Sequence, residues 1–285
     1  MSRMVYVNGE FVPEENAQVS VFDRGFLFSD AVYEVVAVVQ GKLLDFSGHA
    51  SRLRRSLSEL DMDSPFTSDD ELLSVFRETR ERNSLEEGAI YLQVSRGVAE
   101  RSFLFSKAAT PTLILFTQEM NLLHNSAAET GISVISMHDE RWGRRDIKTV
   151  QLLYQSMAKT RARSLGADDA WLVEDGYVTE ATSSNAGIVK NYAIITRQLG
   201  NEILPGVTRA AVLKYARDKD FVVEERPFTI AEALDADEAF MTSSGSFVLP
   251  VVCIDDCLIA DGKPGPVSRD LRSIYLNRNL NDHAP

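Results

Sequence analysis

Residues 174–187 read EDGYVTEATSSNAG. Asp175-Gly176 is a two-residue turn signal between the apolar runs AWLV and YV, so the stretch predicts a hairpin. The second strand carries one acid, Glu180, and runs directly into Thr182, Ser183, Ser184 and Asn185. Beside strands rich in Val, Leu and Ile, such a cluster is either a solvated turn or a wall of hydrogen-bonding groups around a ligand. The hairpin sets the fold class together with its neighbours. VYVNGEFV turns at Asn8-Gly9, VYEVVAVVQGKLLDF at Gln40-Gly41, and VVCIDDCLIADG reads as a fourth strand pair.

Helices are interspersed with these hairpins. Leu53, Leu57 and Leu60 form one apolar stripe, and Ser68 to Glu71 is a capping box opening a helix that buries Leu72, Leu73 and Phe76. VQLLYQSMAKTRARSLG is amphipathic and stops at Gly166, and TRAAVLKYARDKD is a further helix. Hairpins and helices mix without a regular strand-helix-strand beat, so an α+β fold is expected. A polar stretch after the strand TLILFT divides the chain into a small N-terminal domain at 1–118, a linker at 119–129 and a larger C-terminal domain at 130–285.

The 285 residues are 44% hydrophobic and 25% charged, with a net charge of −12. That balance argues against nucleic acid and anionic membrane as partners, since both are bound through clustered Lys and Arg. The N-terminal segment has no apolar signal core and no run of 18 apolar residues occurs, so a cytoplasmic chain is expected. Cys253 and Cys257 lack the second Cys/His pair of a zinc site, and no metal is expected. Glycine-rich nucleotide loops and the nucleophile elbow of serine hydrolases are absent, and the four histidines have no metal-ligand spacing. The chemistry left open is that of a lysine, acids and hydroxyls around a borrowed cofactor.

Several motifs then fall in order: VFDRGFLFSDAVYEVVAV, GHASRLRRSL, DIKTVQLLYQ, VTEATSSNAGIV, ILPGVTR, FMTSSGSFVLPV and DGKPGPVS. Together they resemble the fold-type IV pyridoxal-phosphate-dependent enzymes over nearly the whole chain. That family includes D-amino-acid transaminases, branched-chain aminotransferases, (R)-selective amine transaminases and aminodeoxychorismate lyases. The resemblance implies a small N-terminal α/β domain, a barrel-like C-terminal domain that binds pyridoxal 5'-phosphate, and a homodimer. It makes Lys148 the Schiff-base lysine, a role that asks for a nucleophilic primary amine. A lone Lys beside Arg144, Arg145 and Asp146 would otherwise read as part of a solvated charge cluster.

By the same resemblance Glu180 pairs with the pyridine nitrogen of the cofactor and keeps the ring able to accept electrons. Arg52 grips the phosphate with a fork, Val207 and Thr208 add N–H groups at a helix start, and Ser243 and Ser244 add more. Leu204 packs on a ring face, with Ser183, Ser184 and Asn185 in support; ordinary turn hydroxyls are the plain alternative for the serines. AVYEVVAV and YLQVSRGVAERSF are similar to D-amino-acid transaminases, with Tyr33 and Arg101 at their substrate-binding positions. Phe103 stands where those enzymes carry a His, which removes one donor from the carboxylate grip.

The activity implied is ping-pong transfer of the amino group from a D-amino acid to a 2-oxo acid. An (R)-selective amine transaminase is the first alternative, because Phe103 makes the pocket more apolar. A lyase or branched-chain aminotransferase of the same family follows. A non-catalytic cofactor-binding relative comes last, since Lys148, Glu180 and Arg52 are all in place.

Overall fold

A computed structural model describes residues 2–105 and 109–281. The chain forms two compact units, one of residues 1–123 with 147–151, the other of 124–146 with 152–285. The short segment 147–151, which the sequence reading placed in the C-terminal domain, therefore groups with the first unit.

In the first unit β1 (Met4–Val7) and β2 (Glu10–Pro13) form the hairpin at Asn8-Gly9. Then come α1 (Arg24–Phe28), β3 (Ala31–Val39), β4 (Lys42–Leu43), α2 (Phe46–Glu59), α3 (Asp69–Arg82), β5 (Glu87–Ser95) and β6 (Thr112–Glu119). The strands make one six-stranded sheet in the order β2-β1-β6-β5-β3-β4, antiparallel throughout. The two-residue turns work because Asn8 and Gln40 accept positive φ (48° and 52°), each followed by a glycine that does so freely. Ser68 caps α3 by accepting the Glu71 N–H at 3.2 Å, a contact of the kind worth about 1 kcal/mol. Glu71 returns the bond to the N–H and hydroxyl of Thr67, one residue before the capping-box position.

Alternation along β3 separates two faces. Val32, Glu34 and Val36 are buried on the face that meets α2. Tyr33 and Val35 lie half-buried on the other, where Tyr33, Tyr91 and Phe116 stack with centroids 5.6 and 4.8 Å apart. β4 covers only Val38 and Val39 of β3, leaving the start of that edge open. Segment 147–151 fills it: Val32 bridges Thr149, the Tyr33 N–H donates to Lys148 O at 3.0 Å, and the Val150 N–H donates to Ala31 O at 3.1 Å.

The second unit contains α4 (Ser126–Thr130), β7 (Ile132–His138), α5 (Leu153–Ser164), β8 (Asp169–Glu174), β9 (Tyr177–Ala181), β10 (Asn185–Lys190) and β11 (Ala193–Thr196). It continues with α6 (Val207–Arg217), β12 (Val222–Glu225), α7 (Ile230–Leu234), β13 (Glu238–Ser243), β14 (Phe247–Ile254), β15 (Cys257–Leu258) and α8 (Pro266–Asn281). Its nine strands pair in the order β12-β11-β10-β13-β14-β7-β8-β9, with β15 on β14. The sheet is mixed: β11-β12, β14-β7 and β7-β8 are parallel and the rest antiparallel.

Chain length forces this sheet to curl. β9 and β10 stand five strands apart in the pairing order yet are joined by residues 182–184 alone. A flat sheet would separate them by about 24 Å, whereas the four peptide steps from Ala181 to Asn185 reach at most roughly 14 Å. The ends must close toward each other, which gives the barrel-like form expected from the resemblance. Trp171, Val178, Ile188, Phe228, Met241 and Val251 fill its core, with the Trp171 and Phe228 rings edge-on at 5.9 Å. No helix among the described residues is long and apolar enough to cross a membrane.

Candidate active site

The polar residues singled out in the sequence fall into one cluster in each unit. In the first unit the cluster lies where β3, α2 and segment 147–151 meet. The Lys148 N–H donates to Ser56 Oγ of α2 at 3.4 Å, and Lys148 Nζ sits 4.2 Å from the centre of the Tyr33 ring. A cation over an aromatic face is held by the ring's negative quadrupole. Among the described residues no carboxylate pairs with this ammonium, so a half-buried amine is presented with the Tyr33 ring as its partner.

One residue along β3, Glu34 points into the protein and is 1% exposed. Arg52 donates from Nε to Glu34 Oε1 at 2.8 Å and from Nη2 to Oε2 at 2.7 Å, a two-point fork. His49 Nδ1 lies 2.7 Å from the same Oε2. His49 and Arg52 are one turn apart on α2, so both reach the carboxylate. Burial pushes the Glu34 carboxyl up, but the Arg52 charge and fork, aided by His49, outweigh it and hold the group at about 2. Arg52, which the resemblance makes a phosphate ligand, gives two of its donors to Glu34.

This carboxyl gives a signed prediction. Its pKa is about 2 folded and 4.5 in its ordinary state, a difference on the order of 3 kcal/mol. A depressed acid contributes stability above its unfolded pKa and loses it as pH falls through the folded one. The wild type should therefore lose urea resistance between about pH 4.5 and 2, and Glu34→Gln should show a shallower acid limb. Equal limbs in the two proteins would refute the assignment.

Arg101 and Phe103 lie in the same unit. The Arg101 guanidinium is 5.4 Å from the Phe28 ring and Phe103 meets Phe28 edge-on at 5.6 Å. Arg24 and Arg96 both bind Asp30, at 2.7 and 2.8 Å, and Arg24 donates to Ser102 O at 2.6 Å. With Phe105 lying 3.8 Å from Arg96, these arginines anchor the loop that carries Arg101 and Phe103.

In the second unit the opening stretch resolves into a wall. Glu180 on β9 is buried, and its Oε2 accepts from Asn185 Nδ2 at 2.9 Å and the Leu204 N–H at 3.1 Å. Asn185 also donates to Leu204 O at 2.9 Å. A Cβ built on Gly206 would stand 1.9 Å from Asn185 Oδ1, so only glycine allows the start of α6 to come this close. That start has no side-chain cap. The first N–H groups of α6, those of Val207 and Thr208, therefore have no side-chain acceptor at the cap position. Asn185 pairs with Thr242 on β13, which brings Ser243 to the neighbouring position. Ser243 and Ser246 hydroxyls bond each other at 2.8 Å, Ser184 is half-buried and Ser183 is exposed.

Sequence reasoning missed the partners behind this wall. Arg141 Nη1 donates to Glu180 Oε1 at 2.5 Å and forks onto Asp139 at 2.9 and 2.7 Å. Arg145 lies 3.5 Å from Asp139 and forks onto Glu174. Acids and bases alternate along this row, with an acid at each end. Glu174 is about a third exposed and solvated, whereas Glu180 at the other end is buried and paired with Arg141. Burial pushes the Glu180 carboxyl up, and Arg141 with the Leu204 N–H opposes it. A carboxyl desolvated in this way suits a proton-bearing or cationic neighbour. The only signal in the sequence was the charge run DERWGRRD, which reads equally well as a solvated surface.

Comparison with known proteins places this geometry. The class IV aminotransferase family model matches residues 31–254. A D-alanine aminotransferase of Bacillus licheniformis is 36% identical over 98% of both chains. One of Staphylococcus haemolyticus is 37% identical over 94% of this chain and 95% of its own. Among solved structures, a branched-chain amino acid aminotransferase of T.th. with pyridoxamine 5'-phosphate superposes with a TM-score of 0.90 at 26% identity, covering 99% of this chain and 95% of that one. The family model over residues 31–254 and these full-length matches leave one conclusion: the chain belongs to the class IV aminotransferases.

Proposed function

We propose that the protein is a pyridoxal-phosphate-dependent transaminase that carries the amino group of D-amino acids to 2-oxo acids, with D-alanine as a donor. The observation that carries this reading is the 36% identity to a D-alanine aminotransferase over 98% of both chains. Three features of the chain fit the cofactor: the buried carboxyl of Glu180 with its raised pKa, the uncapped start of α6 and the amine of Lys148.

When bound, the cofactor supplies an electron sink for the negative charge that develops at the substrate Cα. The residues of the chain provide the rest. Glu180 would hold a proton at the ring nitrogen, with Asn185 and the Leu204 N–H bonded to its Oε2. Leu204 contributes an apolar contact to the ring. Val207 and Thr208 offer backbone N–H groups to the phosphate, with Arg52, Ser243 and Ser244 as further donors and Ser183 and Ser184 in support. Lys148 would hold the cofactor through its amine and move the proton off the substrate Cα. Tyr33 positions its ammonium, and Arg101 takes the substrate carboxylate as a fork.

The unit also exposes Phe22, Phe26, Val98, Phe103, Leu104 and Phe105, on two segments joined by the Asp23–Val98 bridge and the Phe28–Phe103 pair. A contiguous apolar patch of this kind supports a homodimer, in which Arg101 and Phe103 are covered by a second copy.

The test adds D-alanine, L-alanine or L-leucine, with 2-oxoglutarate as acceptor, to separate samples of the holoenzyme and follows its visible absorption together with formation of the 2-oxo acid matching each donor. D-alanine is expected to react with a kcat/KM at least ~10²-fold above either L-amino acid, about 2.7 kcal/mol of discrimination. Preferential reaction of L-leucine would replace the reading with a branched-chain one. The Phe28–Phe103 pair supports one second reading, and (R)-1-phenylethylamine is its arm: reaction with that amine but not D-alanine would make the enzyme an amine transaminase.

A further inference from the structure

Glu180 is held by three donors, of which Asn185 and the Leu204 N–H are neutral and bind Oε2. The charged donor is Arg141, alone on Oε1. All five donor hydrogens of a guanidinium lie in one plane, and here that plane is fixed from behind by Asp139, which accepts from both Nε and Nη2. Asp139 is fixed in turn by the Thr179 hydroxyl at 2.6 Å. Thr179 precedes Glu180 on β9, so the strand that carries the acid also anchors the arginine's counter-ion. Arg145 approaches Asp139 at 3.5 Å and ends the row on Glu174. Asp139 is 3% exposed and the side chain of Arg141 is 6% exposed. The arrangement is more than a surface ion pair, whose worth is small.

We propose that Arg141 is a positioning residue for transamination, which acts through Glu180 by fixing its carboxylate plane and balancing its charge. This rests on the role of Glu180 given above. Without Arg141, Glu180 keeps only neutral donors in a buried site, where an isolated carboxylate is disfavoured and takes up a proton. A neutral carboxyl no longer holds the ring nitrogen's proton by charge, so the chemical step suffers and substrate capture does not. The same loss weakens the grip on the cofactor.

The experiment is a cycle of Arg141→Met and Glu180→Gln, singly and together, measured for kcat, KM for D-alanine and the Kd of the apoenzyme for pyridoxal phosphate by fluorescence quenching. Arg141→Met is expected to lower kcat by ~10²-fold, the scale for removing one preorganised donor, with KM changed less than ~3-fold. Its cofactor Kd should rise by ~10-fold or more. In the Glu180→Gln background the same substitution should change kcat and Kd less than ~3-fold, because the residue through which it acts is gone. Arg141→Lys keeps a charge but cannot fork, and should fall between wild type and Arg141→Met. It also stands in for Arg141→Met if that variant fails to fold.

A purely structural arginine would lower the melting temperature in both backgrounds and leave kcat and Kd of the folded enzyme alone. That result, or an equal loss of kcat with and without Glu180, would overturn the proposal. Wild-type kcat and Kd in Glu180→Gln would instead overturn the role of Glu180 itself, and the proposal with it.

Discussion

Lys148→Ala is expected to lower transamination by roughly 10⁴-fold or more, since it removes both the nucleophile and the group that moves the substrate proton. The fold should be nearly unchanged. Residue 148 ties segment 147–151 to β3 and α2 through its main chain, by the Tyr33 N–H to Lys148 O and Lys148 N–H to Ser56 Oγ hydrogen bonds. Alanine keeps both. The side chain gives up its contact with the Tyr33 ring, worth about 0.5–1 kcal/mol, so thermal unfolding should barely move. Lys148→Arg separates charge from chemistry: it keeps a cation over Tyr33 but offers no nucleophilic amine, and should be as inactive as alanine. Steady-state transamination by either variant at more than ~1% of wild type would remove Lys148 from its assigned role, because a positioning lysine would be rescued by arginine.

The four hairpins were legible because each is a local event: a two-residue turn between alternating strands, with Gly, Asn, Asp or, at position 40, Gln where φ is positive. The helix from Ser68 was legible for the same reason. The curl of the large sheet was not, since it follows from the pairing order of β9 and β10 and no single segment encodes it. Segment 147–151 fills an edge of β3 that exists only because β4 is two residues long. That shortness is invisible until the strands are paired.

The site divides along the same line. Lys148 and Glu180 were found through their motifs, and a charge run or a strand acid would have been the reading without them. Glu34 did carry a physical signal, an acid at an inward position between Val32 and Val36, which demands a buried partner. Its partners, His49 and Arg52, were on the page one helix later. Arg141 carried none, because Asp139, Arg141 and Glu180 converge only through tertiary structure.

Arg52→Met should destabilise the cofactor-free protein by about 3 kcal/mol, near the lower end for breaking a buried ion pair. If Arg52 served the phosphate alone, the apoenzyme would not notice its loss. The fork to Glu34 says otherwise: the carboxylate is 1% exposed and would be left with the hydrogen bond from His49. That bond, and uptake of a proton by the pair, keep the cost from the top of the range. Against a total stability of about 5–15 kcal/mol, the shift in the urea midpoint should be plain. The expectation for the double variant is the sharper one. Glu34→Gln combined with Arg52→Met removes both charges, and the protein should recover stability, with a coupling energy of about 2 kcal/mol. The partial return follows because replacing both members of a buried pair is far less damaging than removing one. A double variant no more stable than Arg52→Met would mean that Arg52 balances some charge other than Glu34. An apoenzyme unaffected by Arg52→Met would return the arginine to the phosphate alone.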